Sequence, residues 1–152
     1  MSELSRRTFV IASSALVLGC AACESHADPV TDAKPIDLGE VKDFDKDGVF
    51  DKFAKTKKVL IVRDNGKLYA ISSICTHKSC GIKPEAVTGG GLKCPCHGSS
   101  FSSLGEVKKG PAKQSLMHLA ISINDQKHVI VDPSKRFDKE HWNDTAAVVH
   151  IA

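Results

Sequence analysis

Two short segments constrain this chain more than anything else in it: Cys75-Thr76-His77-Lys78-Ser79-Cys80 and, after a glycine-rich stretch, Cys94-Pro95-Cys96-His97-Gly98-Ser99. Each carries one Cys–His pair at metal-ligand spacing, C-x-H from Cys75 to His77 and C-x-x-H from Cys94 to His97. Each also carries one further cysteine. Four ligands and two spare thiols on two loops suit a centre of two irons and two sulfides, with imidazoles replacing thiolates on one iron. Structural zinc competes for the same residues, because two Cys and two His can hold Zn²⁺ tetrahedrally. Zinc leaves Cys80 and Cys96 without a role and gives no reason for the C-P-C-H-G-S run. A zinc form would be colourless and a cluster form brown.

The ligand set has an electrostatic consequence. Two ferric ions, two sulfides and two thiolates sum to roughly zero, whereas four thiolates leave about −2. Adding an electron to a neutral centre takes less work, so the mixed set raises the potential to about −150 to +300 mV, against roughly −400 mV for plant-type clusters. Such a centre takes and returns one electron. It has no open coordination position, so no catalytic residue is expected. Imidazole ligands keep a second ring nitrogen that can lose a proton, which suits quinol chemistry.

The two segments resemble the cluster-binding loops of Rieske proteins, C-T-H-x-G-C and C-P-C-H-G-S, and the resemblance covers roughly residues 36 to 132. It implies a [2Fe–2S] cluster with Cys75 and Cys94 on one iron and His77 and His97 on the other. It implies a Cys80–Cys96 disulfide tying the loops together. Gly98, Ser99, Phe101 and Pro111 then fall beside the cluster. Ser99 stands where the family has a serine that bonds a bridging sulfide. Phe101 stands where quinol-oxidising members have a tyrosine, and Phe brings no hydroxyl donor. Gly110-Pro111-Ala112 matches the family's proline loop, a stiff apolar lid over the cluster. Ser79 departs from the family glycine, at a place where a positive φ or a close backbone approach is expected.

With 152 residues and 41% hydrophobic content, the chain is one modest domain with extensions. The net charge of +3 is too mild for nucleic acid. Lys57-Lys58 and Lys108-Lys109 read as solvated strand ends. From Ile36 on the pattern is all-β, as in the Rieske fold of small antiparallel sheets. Lys58–Val62 and Lys67–Ile71 flank Asn65-Gly66, a hairpin signal. Met117, Leu119, Ile121 and Ile123 alternate with more polar neighbours, and a turn at 124–127 leads to a partner strand, His128–Val131. His118, His128, His141 and His150 are expected at the surface. No internal repeat is visible. Asp43-x-Asp45-x-Asp47-Gly48 imitates a calcium loop, but position twelve is Ala54, so a charged turn is expected. The expected division is 1–27 targeting segment, 28–35 linker, 36–132 cluster domain and 133–152 C-terminal extension holding Trp142, which packs on the domain or docks to a partner.

Ser5-Arg6-Arg7-Thr8-Phe9-Val10 and the apolar run behind it resemble a twin-arginine export signal. That route exports folded proteins, which a cytoplasmically loaded cluster requires, and an oxidising compartment suits the disulfide. Val17-Leu18-Gly19-Cys20 resembles a lipobox with Cys20 as the acylated residue. Cleavage after Ser25-His26-Ala27 and an uncleaved membrane anchor are the alternatives. The expected role is single-electron transfer on the extracytoplasmic (periplasmic) side of a membrane. Its partners would be cytochrome b or c of a quinol-oxidising bc-type complex, the large subunit of an exported oxidase such as arsenite oxidase, or soluble carriers.

Overall fold

The computed structural model describes residues 34–85 and 90–151. The export signal, Cys20 and nearly all of the linker lie outside the described residues, as does most of the Val87–Gly91 connection. The chain runs through β1 (Ile36–Glu40), β2 (Gly48–Phe50), β3 (Val59–Asp64) and β4 (Lys67–Ser72). It then leaves for four short strands, β5 (Lys83–Pro84), β6 (Leu92–Lys93), β7 (Ser100–Phe101) and β8 (Val107–Lys109). It returns as β9 (His118–Ile123), β10 (His128–Phe137) and β11 (Val148–His150). The only helical turns among the described residues are 3₁₀, at Val41–Phe44 and Lys139–His141. The all-β expectation holds.

The β3–β4 hairpin is the centre of the molecule. Asn65 and Gly66 both take positive φ, 48° and 74°, as a two-residue turn between twisted strands demands. The register follows, from Asp64↔Lys67 at the turn to Val59↔Ser72 at the open end. The second expected hairpin also forms. The Asn124 side chain accepts from the backbone N–H of Gln126 and His128 at 3.0 and 2.9 Å, holding the turn into β10. The main sheet has the order β1-β10-β9-β4-β3-β2, all antiparallel, with β11 also pairing with β4. The four short strands form a second sheet in the order β5-β6-β7-β8.

Val59, Leu60, Ile61 and Val62 are all buried, so β3 has no solvent face. Val59 and Ile61 join Leu68, Ala70, Leu119, Ile121, Val129 and Val131 in one core. Leu60 and Val62 point the other way, with Tyr69, Ile71, Leu92, Phe101 and Leu116, in a second core that also contains Cys75 and Cys94. Period-two side chains on a sheet covered on both faces give two cores from one hairpin. The second core is the floor on which the short-stranded lobe sits.

One surface expectation needs correction. His118 is fully buried, not exposed. Its ring stacks on Trp142 at 4.2 Å and 9° and meets Tyr69 edge-on at 5.5 Å. The physical reason is the C-terminal segment, which covers the face of β9 that reads as outward. That segment is built into the sheet: β10 continues to Phe137, and β11 pairs Val148 with Tyr69 and His150 with Lys67. The other histidines lie at or near the surface, His128 and His141 beside Asp37 and Asp138 at 2.8 and 2.6 Å. The 43–48 acidic stretch is a charged turn in which Asp47 faces Arg63 at 3.6 Å.

Candidate metal centre

Everything between Ser72 and His118 is one excursion from the end of β4 to the start of β9, strands that pair at Ile71↔His118. Three loops of that excursion meet at its tip. The first, Cys75–Cys80, precedes β5. The second, Cys94–Ser99, joins β6 to β7. The third, around Gly110–Gln114, follows β8.

The first two loops share one backbone plan. In the first, Cys75 N–H donates to Cys80 O at 2.8 Å and Ser79 N–H donates to Cys75 O at 2.9 Å. In the second, Cys94 N–H donates to Ser99 O at 2.8 Å and Gly98 N–H donates to Cys94 O at 3.1 Å. In both, the fifth residue takes positive φ: 52° at Ser79 and 77° at Gly98. The sequence shows no repeat here because the histidine and second cysteine fall at different offsets. A shared five-residue span beginning at cysteine was the only available signal. The positive φ expected at Ser79 is present.

The disulfide expected between Cys80 and Cys96 is present and clamps loop to loop. Cys75 and Cys94 are the free thiols, both buried. The sulfurs of Cys80, Cys94 and Cys96 also lie within 4.8 Å of one another. Two of those three are consumed by the disulfide, so this trio cannot supply thiolates to a metal. His77 and His97 face each other edge to face, with ring centres 4.9 Å apart. His77 is half-buried and His97 exposed.

The third loop closes the site. Ala112 N–H donates to Ser99 Oγ at 3.0 Å, and Thr76 Oγ1 donates to Gln114 O at 2.7 Å. One bond ties it to the second loop and one to the first. Ser99 is fully buried and accepts from Ala112, so its own hydroxyl proton remains to be given. Within this loop Ala112 is buried and Pro111 is exposed, so the expected lid is the Ala112 segment, with proline on its outer side. Phe101 is buried in the core with both free thiols. The ties at Thr76 and Ala112 were not legible in sequence, because their partners lie 38 and 13 residues away.

The electrostatics fit a bound cationic centre. Burial raises the Cys75 thiol, and the adjoining Cys94 sulfur adds to this, while the backbone N–H groups of His77 and Lys78 pull the other way. Buried thiols are poor thiolates unless a metal ion supplies the charge. His77 Nδ1 is buried with no hydrogen-bond partner, the condition of a nitrogen reserved for a metal. Two soft sulfurs and two imidazole nitrogens at one closed tip are a donor set for iron–sulfur chemistry.

Comparison with known proteins bears on the same stretch. The cytochrome b6-f complex iron-sulfur subunit of Nostoc punctiforme is 42% identical over 64 residues, covering 42% of this chain and 35% of that protein. The corresponding subunit of Synechococcus sp. (strain JA-2-3B'a(2-13)) is 35% identical over 95 residues, covering 60% and 55%. The matches thus span about a third to a half of these relatives. Among solved structures, the plasma membrane Rieske protein PetC3 of Synechocystis PCC 6803 aligns with a TM-score of 0.47 and 25% identity, over 64% of this chain and 98% of that one. The Rieske [2Fe-2S] domain matches residues 34–129, from before β1 into β10 and across all three loops of the tip. With well over half of its length inside that match, the chain belongs to the Rieske [2Fe-2S] domain family, and the group its loops enclose is a [2Fe–2S] cluster.

Proposed function

We propose that this protein carries single electrons as the Rieske component of a quinol-oxidising, cytochrome bc-type chain on the extracytoplasmic side of a membrane. Cys75 and Cys94 would hold one iron and His77 and His97 the other. When bound, the cluster supplies a reversible one-electron couple. The buried thiols exclude water from the sulfur side, and the exposed His97 edge is the exit toward a partner. Ser99, buried and accepting from Ala112, would have its O–H free to donate a hydrogen bond to the bound group, which would offset negative charge added on reduction. The disulfide and the Ala112 and Thr76 bonds keep the three loops closed through that change of charge.

The observation that carries this reading is the meeting of two buried free thiols and two adjoining imidazoles at one disulfide-clamped tip. The relatives named above, subunits of cytochrome b6-f complexes, support the choice of complex. Iron and acid-labile sulfide assays with electron spin resonance test the centre: equal iron and sulfide and a mixed-ligand signal on reduction are expected. Iron-free protein carrying zinc would end the proposal. A pull-down from membranes tests the complex. Cytochrome b is expected, whereas a molybdenum subunit would move the protein to an exported oxidase. The N-terminal export and Cys20 acylation belong to the same proposal, and the intact mass of the mature protein checks them. No helix among the described residues is long and apolar enough to cross a membrane.

A further inference from the structure

The charge of this molecule is not evenly spread. The excursion from Ser73 to Leu116 holds six lysines (Lys78, Lys83, Lys93, Lys108, Lys109 and Lys113) against two carboxylates, Glu85 and Glu106. The rest of the described chain, 34–72 and 117–151, is nearly balanced, with thirteen basic and twelve acidic residues. All six lysines are exposed. Both carboxylates are already paired, Glu85 with Lys93 at 3.3 Å and Glu106 with Lys108 and Lys139, each at 2.6 Å. No ion pair among the described residues involves Lys78, Lys83, Lys109 or Lys113.

Two of these lysines are placed by the loops that hold the site. Lys78 follows His77 directly, and Lys113 follows Ala112, whose N–H is bonded to Ser99. Both therefore rim the tip at which His97 is exposed. Beside the first loop a cleft of about 350 Å³ runs past Cys75, Thr76 and Ser79 to Lys58 and Arg136, with no carboxylate in its wall.

Resting on the electron-carrier reading, we infer that the tip docks an acidic redox protein, steered by Lys78 and Lys113 onto the exposed edge of His97. Fields of this kind raise encounter rates and select partners by sign, and they fade once the Debye length falls below the patch size. An electron leaving through His97 needs a redox group against that edge. An anionic lipid surface at the same place would cover the exit.

Holoprotein reduced with dithionite and freed of it by anaerobic gel filtration is mixed in stopped flow with horse cytochrome c, which is basic, and with the same cytochrome succinylated on its lysines, which is acidic. With the acidic probe the second-order rate constant is expected to fall about tenfold or more from low to high salt, and with the basic probe to rise. Lys78→Glu with Lys113→Glu should remove most of the acidic probe's advantage. Lys127→Glu makes a charge change of the same sign in the β9–β10 turn, at the far end of the sheet, and should change little. Carbodiimide coupling, read by mass spectrometry, should join probe carboxylates to Lys78 and Lys113. Equal effects of the tip and Lys127 variants would overturn the docking claim, as would salt-independent rates with both probes. So would Lys78/Lys113-dependent capture by phosphatidylglycerol vesicles without capture of the acidic probe. Failure to reduce either probe at any salt would instead remove the carrier reading, and the docking claim with it.

Discussion

Ser79 and Gly98 occupy the same position in two loops of the same backbone plan, and only one of them is glycine. A side chain in the left-handed region costs roughly 1–2 kcal/mol. Ser79→Gly is therefore expected to raise stability by about 1 kcal/mol, part of the gain being offset by greater freedom of the unfolded chain. Gly98→Ala should lower it by a similar amount. Nothing lies within 4 Å of a Cβ built there, so backbone conformation alone is responsible. Urea unfolding of the two variants checks both signs. Phe101 is the other informative residue. It shares a core with both thiols and carries no donor. In Phe101→Tyr a new hydroxyl able to reach a cluster sulfur should raise the potential by roughly 50 mV, the equivalent of a hydrogen bond of about 1 kcal/mol for a one-electron couple. A potentiometric titration showing no rise would discount the role of this position.

At the scale of elements, the C-terminal segment decides the environment of β9. Trp142 covers His118, and burial pushes that imidazole down to about 4 despite the carbonyl of Leu104 at 2.9 Å. The carbonyl accepts from Nε2–H, which leaves Nδ1 bare and buried. A proton arriving on Nδ1 would place a charge inside the stack. Because the folded value lies below the unfolded 6.5, this contribution to stability is complete above pH 6.5. It is lost as pH falls toward about 4, and amounts to roughly 3 kcal/mol. His118→Phe should flatten that part of the stability–pH curve. Trp142→Ala should cost about 3 kcal/mol at neutral pH, since a large ring leaves a cavity. Denaturation at pH 7, 6 and 5 separates the two effects. The loops are the second element-scale case. Cys80→Ser opens a link between residues 16 apart, which in the chain-entropy model lowers stability by about 3 kcal/mol. It should also shorten the lifetime of the brown colour in air, because Cys75 and Cys94 sit on the loops so released.

For the molecule as a whole, the two cores imply two levels of stability. The main sheet has strands of up to ten residues, whereas those of the lobe have two or three. Strands that short do not hold a sheet alone, so the lobe depends on its floor, its disulfide and its cluster. Removing iron with a chelator should leave the far-ultraviolet spectrum of the main sheet largely intact. Amides between Cys75 and Leu116 should then exchange faster, while those of β3 and β4 stay protected. Uniform loss of protection would show that the cluster holds the entire fold, not the lobe alone.

The sequence by itself determined the chemistry and the local turns. Cysteine and histidine at fixed short offsets define a donor set, and Asn65-Gly66 needs only its own backbone preference to make a hairpin. At Ser79 the signal came from the resemblance alone, which puts a glycine there for a positive φ or a close approach; the structure shows the positive φ. What only the tertiary structure decided was what covers what. His118 reads as an outward residue because period-two alternation knows nothing of Trp142, 24 residues on. Ala112 rather than Pro111 is the covered residue of the third loop, because Ser99 reaches it across 13 residues. The gathering of lysines on one lobe likewise depends on a chain excursion that leaves β4 and returns at β9. The lysine excess itself lies within one window, 73–116; that this window is a single lobe, and what the lobe buries, are properties of the assembled chain, which no window contains.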